Sequence, residues 1–120
     1  MNIGKETEFI EFKKSTSETK EGIISIASIL NKHKKGTLYF GVKDNGDVIG
    51  QDIGKDTERK LSRDISDNIK PAVWYEITTR HSDDGKAFVE VTFNGSNSHS
   101  PYFFISAVFI NLSANFGFFG

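Results

Sequence analysis

Thr37-Leu38-Tyr39-Phe40-Gly41-Val42-Lys43-Asp44-Asn45-Gly46-Asp47 reads as a strand running straight into a tight turn. Leu38, Phe40 and Val42 fall at every second position, so they share one face of an extended chain. Asp44-Asn45-Gly46-Asp47 follows as a hairpin turn, because Asn-Gly supplies the positive φ angles that such turns need. Val48-Ile49-Gly50 then returns as a short strand. A short hairpin link joins antiparallel neighbours, which argues against a doubly wound nucleotide fold.

Upstream, Glu8 to Lys13 is a first strand, with Ile10 and Phe12 on one face and Glu11 and Lys13 on the other. Ser15-Thr16-Ser17-Glu18 has the spacing of a capping box. The helix it opens runs to about Asn31, with Ile23, Ile26, Ala27 and Leu30 as its core-facing stripe. Asn31-Lys32-His33-Lys34-Lys35-Gly36 closes it with a basic turn, where cations suit the helix C-terminus. Downstream, Asp56 or Thr57 caps a second helix carrying Leu61, Ile65 and Ile69, and Pro71 stops it. Val73 to Arg80 and Ala87 to Phe93 are β-rich runs joined by a loop containing Asp84-Gly85. The order β-α-β-β-α-β-β, with further C-terminal strand, implies an α+β fold: an α/β sandwich with a mixed sheet and two main helices.

The 120 residues suffice for one domain with its own core. Fifteen Lys and Arg stand against sixteen Asp and Glu, so no global charge draws the chain to nucleic acid, and such binding must come from a local patch. Cysteine is absent, which excludes disulfides and thiolate metal sites and makes the cytoplasm the default compartment. No signal peptide is visible in the polar N-terminus. The last charged residue is Glu90; from Phe103 to Gly120 the chain is apolar but broken by Ser, Asn and Gly. That tail is too polar for a membrane span and reads as terminal strand, able to pair with a second copy at a sheet edge.

Two groups of residues carry chemistry. Lys13 and Lys14, with Lys32, His33, Lys34 and Lys35, form the basic concentration, read as phosphate contacts or as a solvated helix end. Glu6, Glu11 and Asp44 are a possible acidic trio for magnesium or manganese at a phosphodiester, with Lys13 beside them. Glu6 and Glu11 are five residues apart, so on one straight strand they would face opposite sides; convergence requires Glu6 in a loop or a bent strand. His33, His81 and His99 lack zinc-ligand spacing. Gly50-Gln51-Asp52-Ile53-Gly54-Lys55-Asp56 fails as a phosphate loop, since its glycines are too close and Asp56 stands where Ser or Thr would bind magnesium. It reads as a strand-to-helix loop, with a weak anion contact at the following helix N-terminus.

Taken in order, several blocks resemble the Schlafen-type AlbA-like domain. They are Glu6 through Glu11-Phe12-Lys13, Ile26-Ala27 through Asn31, Gly36 through Gly46, Val48-Ile49-Gly50, Ile65 to Pro71, and Pro101-Tyr102. The resemblance implies an α/β domain used for nucleic-acid binding, DNA or RNA, in bacterial proteins described as transcriptional regulators or ATP-binding proteins. There it precedes further C-terminal domains, so residues 1–120 are expected to be one such domain at the start of a longer regulator. In vertebrate Schlafens the domain is part of an RNA-cleaving site, whose acids carry over onto Glu6, Glu11 and Asp44, beside Lys13. Two departures stand out: Lys35-Gly36 replaces Gly-Gly, and the segment after Tyr102 carries no arginine or acid.

Three functional readings follow. The first is a nucleic-acid-binding module that contacts phosphates through Lys13, Lys14, Lys32, Lys34 and Lys35, with no cofactor. The second is a magnesium- or manganese-dependent endoribonuclease using Glu6, Glu11 and Asp44. The third is an oligomerisation or nucleotide-binding module.

Overall fold

The computed structural model describes residues 1–95 and 101–105. His99 and the expected C-terminal strand beyond residue 105 lie outside them.

The α+β expectation holds. Strand β1 (Ile10–Lys13) leads through a 3-10 turn (Thr16–Glu18) into helix α1 (Thr19–Lys32), and β2 (Lys35–Phe40) follows. Helix α2 (Thr57–Asn68) and the short β3 (Ile69–Lys70) come next, then β4 (Trp74–His81), β5 (Ala87–Asn94) and β6 (Phe103–Phe104). Among the described residues the main sheet is four-stranded in the order β1-β2-β5-β4, and β3 and β6 make a second sheet of two strands. β1 and β2 are parallel, joined by α1 as a crossover, while β5 runs antiparallel to both of its neighbours, β2 and β4. Among the described residues no helix is long and apolar enough to cross a membrane.

One face of the sheet is covered by both helices. Ile23, Ile26, Ala27 and Leu30 of α1 are buried as their spacing demands, against Leu38 and Phe40 of β2 and Val89, Val91 and Phe93 of β5. Gly22 lets α1 sit close to the sheet, since a Cβ there would meet Phe40 at 2.9 Å. Leu61 and Ile65 anchor α2 to the same core. Ile69 is buried too, but from β3, because the helix ends at Asn68. Asn31, near the end of α1, holds the Tyr102 segment at both backbone groups: its amide donates to Tyr102 O (2.9 Å) and its oxygen accepts from Tyr102 N (2.7 Å).

The opposite face is covered over only part of its length. Phe12, Phe88, Val42 and Val48 form a second small core, joined by Ile3, Ile10 and Tyr39. The cover is the N-terminal segment and the hairpin: Ile3 N donates to Gly46 O (2.9 Å) and Val48 N to Met1 O (2.8 Å). The remainder of that face, with Trp74, Asn94 and Lys35, is exposed.

Local readings need correction in three places. The hairpin turn is a three-residue loop: Gly46 N bonds Lys43 O (2.8 Å), Lys43 N bonds Asp47 O (2.9 Å), and only Gly46 has positive φ (91°). Asn45 therefore does not supply a second positive φ, as a two-residue Asn-Gly turn would require; a type I turn closed by a left-handed glycine does the same work. Asp83-Asp84-Gly85 repeats this construction between β4 and β5, with Gly85 at φ 83°. Val48-Ile49-Gly50 is not a strand. Val48 makes one isolated bridge to Val42, then Ile49 N and Gly50 N both turn onto Gly41 O (2.9 Å each). Gly41 at φ 95° also ends β2 before Val42. Finally, Ser15 Oγ accepts from Ser17 N (3.1 Å) and the Glu18 carboxylate from Lys14 N (3.1 Å), so the reciprocal capping box is displaced by one residue.

Candidate nucleic-acid interface and acidic site

Glu6 and Glu11 do converge, and a turn achieves it. Thr7 and Ile10 exchange backbone bonds (3.1 and 3.4 Å), which folds the chain back along the free edge of β1. Glu6 Oε2 then accepts from Phe12 N at 2.9 Å, so a carboxylate caps an edge amide that no strand reaches. Glu11 lies beside it, paired with β2 at Leu38, and its Oε1 is 3.4 Å from Lys13 Nζ. Burial pushes the Glu11 carboxyl above its ordinary range; the adjacent Glu6 carboxylate pushes it further, and Lys13 opposes both. Two acids this close hold a shared proton more readily than two negative charges.

Asp44 is elsewhere. It sits at the hairpin tip, in an open depression of ≈ 340 Å³ lined by Lys14, Lys43 and Asn45. Among the described residues, no group of three or more acids or histidines is gathered as a metal site. The residues present therefore do not fit the magnesium or manganese centre expected of the trio. Two carboxylates are together, one of them already engaged by Phe12 N, and the third acid faces lysines.

The basic residues divide into two sets. β1 and β2 are parallel, so Lys13 at the end of β1 lies opposite Phe40, whereas Lys35 opens β2. Five residues of strand separate the ends, roughly 17 Å at 3.3 Å per residue. At the α1 end, Lys32, Lys34 and Lys35 are exposed and have no carboxylate partner among the described residues. His33 is held apart from them: its Nε2 is 3.4 Å from Glu8 Oε2 and its ring lies 4.3 Å from that of Phe9. At the other end Lys14 is joined by Lys43, a residue the motif reading passed over. The parallel β-α-β crossover was the available signal, because it places the end of the first strand and the start of the second at opposite ends of a sheet.

Loop 50–56 carries no phosphate cradle. Gln51 uses its side chain to tie the loop to the 3-10 turn before α1, accepting from Thr16 N (2.9 Å) and donating to Thr16 Oγ1 (3.0 Å). A hollow of ≈ 330 Å³ lies between the starts of α1 and α2, but two acids, Asp56 and Asp64, line it against one lysine, Lys60, so its lining is net acidic. Asp56 bonds Arg59 (2.8 Å) rather than capping the helix.

On the sheet's other face Tyr39 donates to Glu90 Oε2 (2.8 Å), which also accepts from Arg80 (3.0 Å). Burial, then Glu90, raises the Tyr39 phenol to about 12.

A family model described as Schlafen, AlbA_2 matches residues 6–114. A search of curated proteins found no match. The matched range takes in the acid pair, the crossover with its basic turn, the hairpin and both helices, and on that footing the chain belongs to the Schlafen AlbA_2 family.

Proposed function

We propose that this chain is a nucleic-acid-binding module of a transcriptional regulator, contacting phosphates through Lys32, Lys34 and Lys35. The observation that carries the reading is the cluster of three exposed lysines, without acidic partners among the described residues, where α1 meets β2. Family membership supports it, since this family is associated with nucleic-acid binding. Lys14 and Lys43 form a second contact point beyond the far end of the strand pair, more than about 17 Å along it. Together the two sets would fix orientation on a backbone without reading its sequence. The test is fluorescence anisotropy with labelled single-stranded and duplex oligonucleotides, for the parent and for Lys34→Ala/Lys35→Ala. Weakened binding of every sequence by the variant supports the reading; equal binding removes it.

The second reading, an RNA-cleaving site, is favoured by the Glu6-Glu11-Lys13 constellation. Glu11, whose carboxyl burial pushes upward, and the neighbouring Glu6 place two carboxyl groups side by side for proton transfer, and Lys13 adds a cation for developing phosphorane charge. Asp44 lies at the hairpin tip, so the two carboxyl groups and Lys13 carry this reading. Labelled RNA incubated with the parent and with Glu11→Ala, each with and without manganese, tests this. Cleavage by the parent alone supports it, and intact RNA throughout removes it.

A further inference from the structure

The uncovered part of the open sheet face has a composition that neither the acid pair nor the lysine clusters explain. The hairpin and the N-terminal segment shield the end of this face that holds Phe12 and Phe88. At the other end Lys35, Asn94 and Trp74 lie in one row across β2, β5 and β4, since Asn94 is the register partner of both others. Their neighbours Gly36, Phe93 and Tyr75 turn to the helix side, where the Tyr75 hydroxyl contacts Ser62 and Ser66 (2.7 Å each). Alternation therefore points Trp74, Asn94 and Lys35 outward. Trp74 is 56 % exposed, on a strand whose other side chains on this face are Glu76, Thr78 and Arg80.

Next to this row lies a hollow of ≈ 310 Å³ over the backbone of Gly36. Ile10, Lys35, Thr37, Thr92 and Asn94 edge it, and the half-exposed Phe9 stands at its rim. Core tryptophans of small domains are buried for their large apolar area. An indole left on a flat sheet, in one row with a lysine that edges this hollow and has no acidic partner among the described residues, combines an aromatic surface with a nearby cation. That is the requirement for binding single-stranded nucleic acid, in which bases stack on side chains while phosphates meet cations.

We infer that the open half of the sheet is a base-stacking platform for single-stranded RNA or DNA. Trp74 stacks one base, Lys35 meets the adjoining phosphate, and Asn94 hydrogen-bonds a base edge. This rests on the proposed nucleic-acid reading and adds to it the strandedness of the ligand. Lys35 and Trp74 are two strand spacings apart, about 10 Å between backbones. The flexible lysine stem spans much of that gap. The Asn94 amide offers both donor and acceptor to a base edge. A duplex hides its base faces, so the platform selects for single strands.

Trp74 is the only tryptophan, so its emission reports this surface directly. The experiment titrates the full chain with a short oligouridine and with a duplex of equal length. It follows tryptophan emission and, with labelled strands, anisotropy, for the parent, Trp74→Ala and Trp74→Phe. The expected result is quenching by the single strand alone and binding weakened roughly 5- to 150-fold in Trp74→Ala, the loss of one stacked base. Trp74→Phe should recover part of it, and an unchanged circular dichroism spectrum would exclude a folding defect. Oligouridine binding with unchanged emission and full affinity in Trp74→Ala would overturn the platform while leaving the nucleic-acid reading intact. Absence of binding by either strand form would overturn both.

Discussion

Replacing Gly36 by alanine puts a methyl group where β1, α1 and β5 meet. Its Cβ would lie 2.8 Å from Ile29 Cγ2, 2.8 Å from Phe93 Cζ and 2.9 Å from the Phe9 carbonyl oxygen. Carbon atoms settle at about 3.5 to 4.0 Å, so each carbon neighbour would have to retreat by about 0.7 Å or more. Neither retreat is easy. Phe93 is 1 % exposed in the main core, and the Phe9 carbonyl holds β1 to β2 by accepting from Thr37 N at 2.8 Å. Overpacking of this kind costs about 1 to 3 kcal/mol. Removing a glycine from a strand returns about 0.5 to 1 kcal/mol. The net expectation is a loss of roughly 0.5 to 2 kcal/mol. With a urea m-value of about 1.5 kcal/mol/M, the unfolding midpoint should fall by roughly 0.3 to 1.3 M. Far-UV circular dichroism in urea measures it. Gly54→Ala is the control: nothing lies within 4 Å of its Cβ and its φ is not positive, so it should be neutral or stabilising by about 0.4 to 1 kcal/mol. A Gly36→Ala midpoint equal to or above the parent's would refute the close approach of the three elements.

Two further outcomes are expected. Folding raises the Glu11 carboxyl above its unfolded value, so the folded state binds this proton more tightly. Relative to Glu11→Gln, the parent should therefore lose stability as pH rises from the unfolded pKa through the higher folded one, with the gap constant above; urea midpoints across the acid range will show a parallel pair of curves if the reasoning is wrong. Asn31→Ala removes both hydrogen bonds to the buried Tyr102 backbone and should cost about 1 to 3 kcal/mol. Hydrogen exchange at the Tyr102 amide should accelerate in the same variant, and unchanged protection would contradict the assignment.

Much of the fold was legible because its elements obey a single period. Ile23, Ile26, Ala27 and Leu30 repeat as a helix stripe, and Leu38 and Phe40 alternate as a strand, so core facing follows from spacing alone. Val48-Ile49-Gly50 was not legible, because β-prone side chains there are overruled by the positive φ of Gly41 and Gly50, which turn both amides onto one carbonyl. The acid pair was half legible. Spacing showed that Glu6 and Glu11 could meet only if the chain bent, but the bend is a Thr7–Ile10 turn with no strong residue signature. The place of Asp44 depends on how the hairpin folds over the sheet, which local pattern does not encode. Trp74 passed unnoticed for a similar reason: alternation alone does not say which face of β4 the helices cover, and α2 covers the Tyr75 side.

If Lys32, Lys34 and Lys35, unpaired among the described residues, contact phosphates where α1 meets β2, binding depends on salt through them. Anisotropy of a labelled single strand should be measured over a range of salt for the parent and for Lys34→Ala/Lys35→Ala. Each phosphate contact contributes about −0.7 to the slope of log K against log salt on single strands. The slope in the variant should be shallower by about 1.4, with weaker binding at low salt. Equal slopes and equal affinities would contradict it, leaving those lysines as the solvated end of a helix.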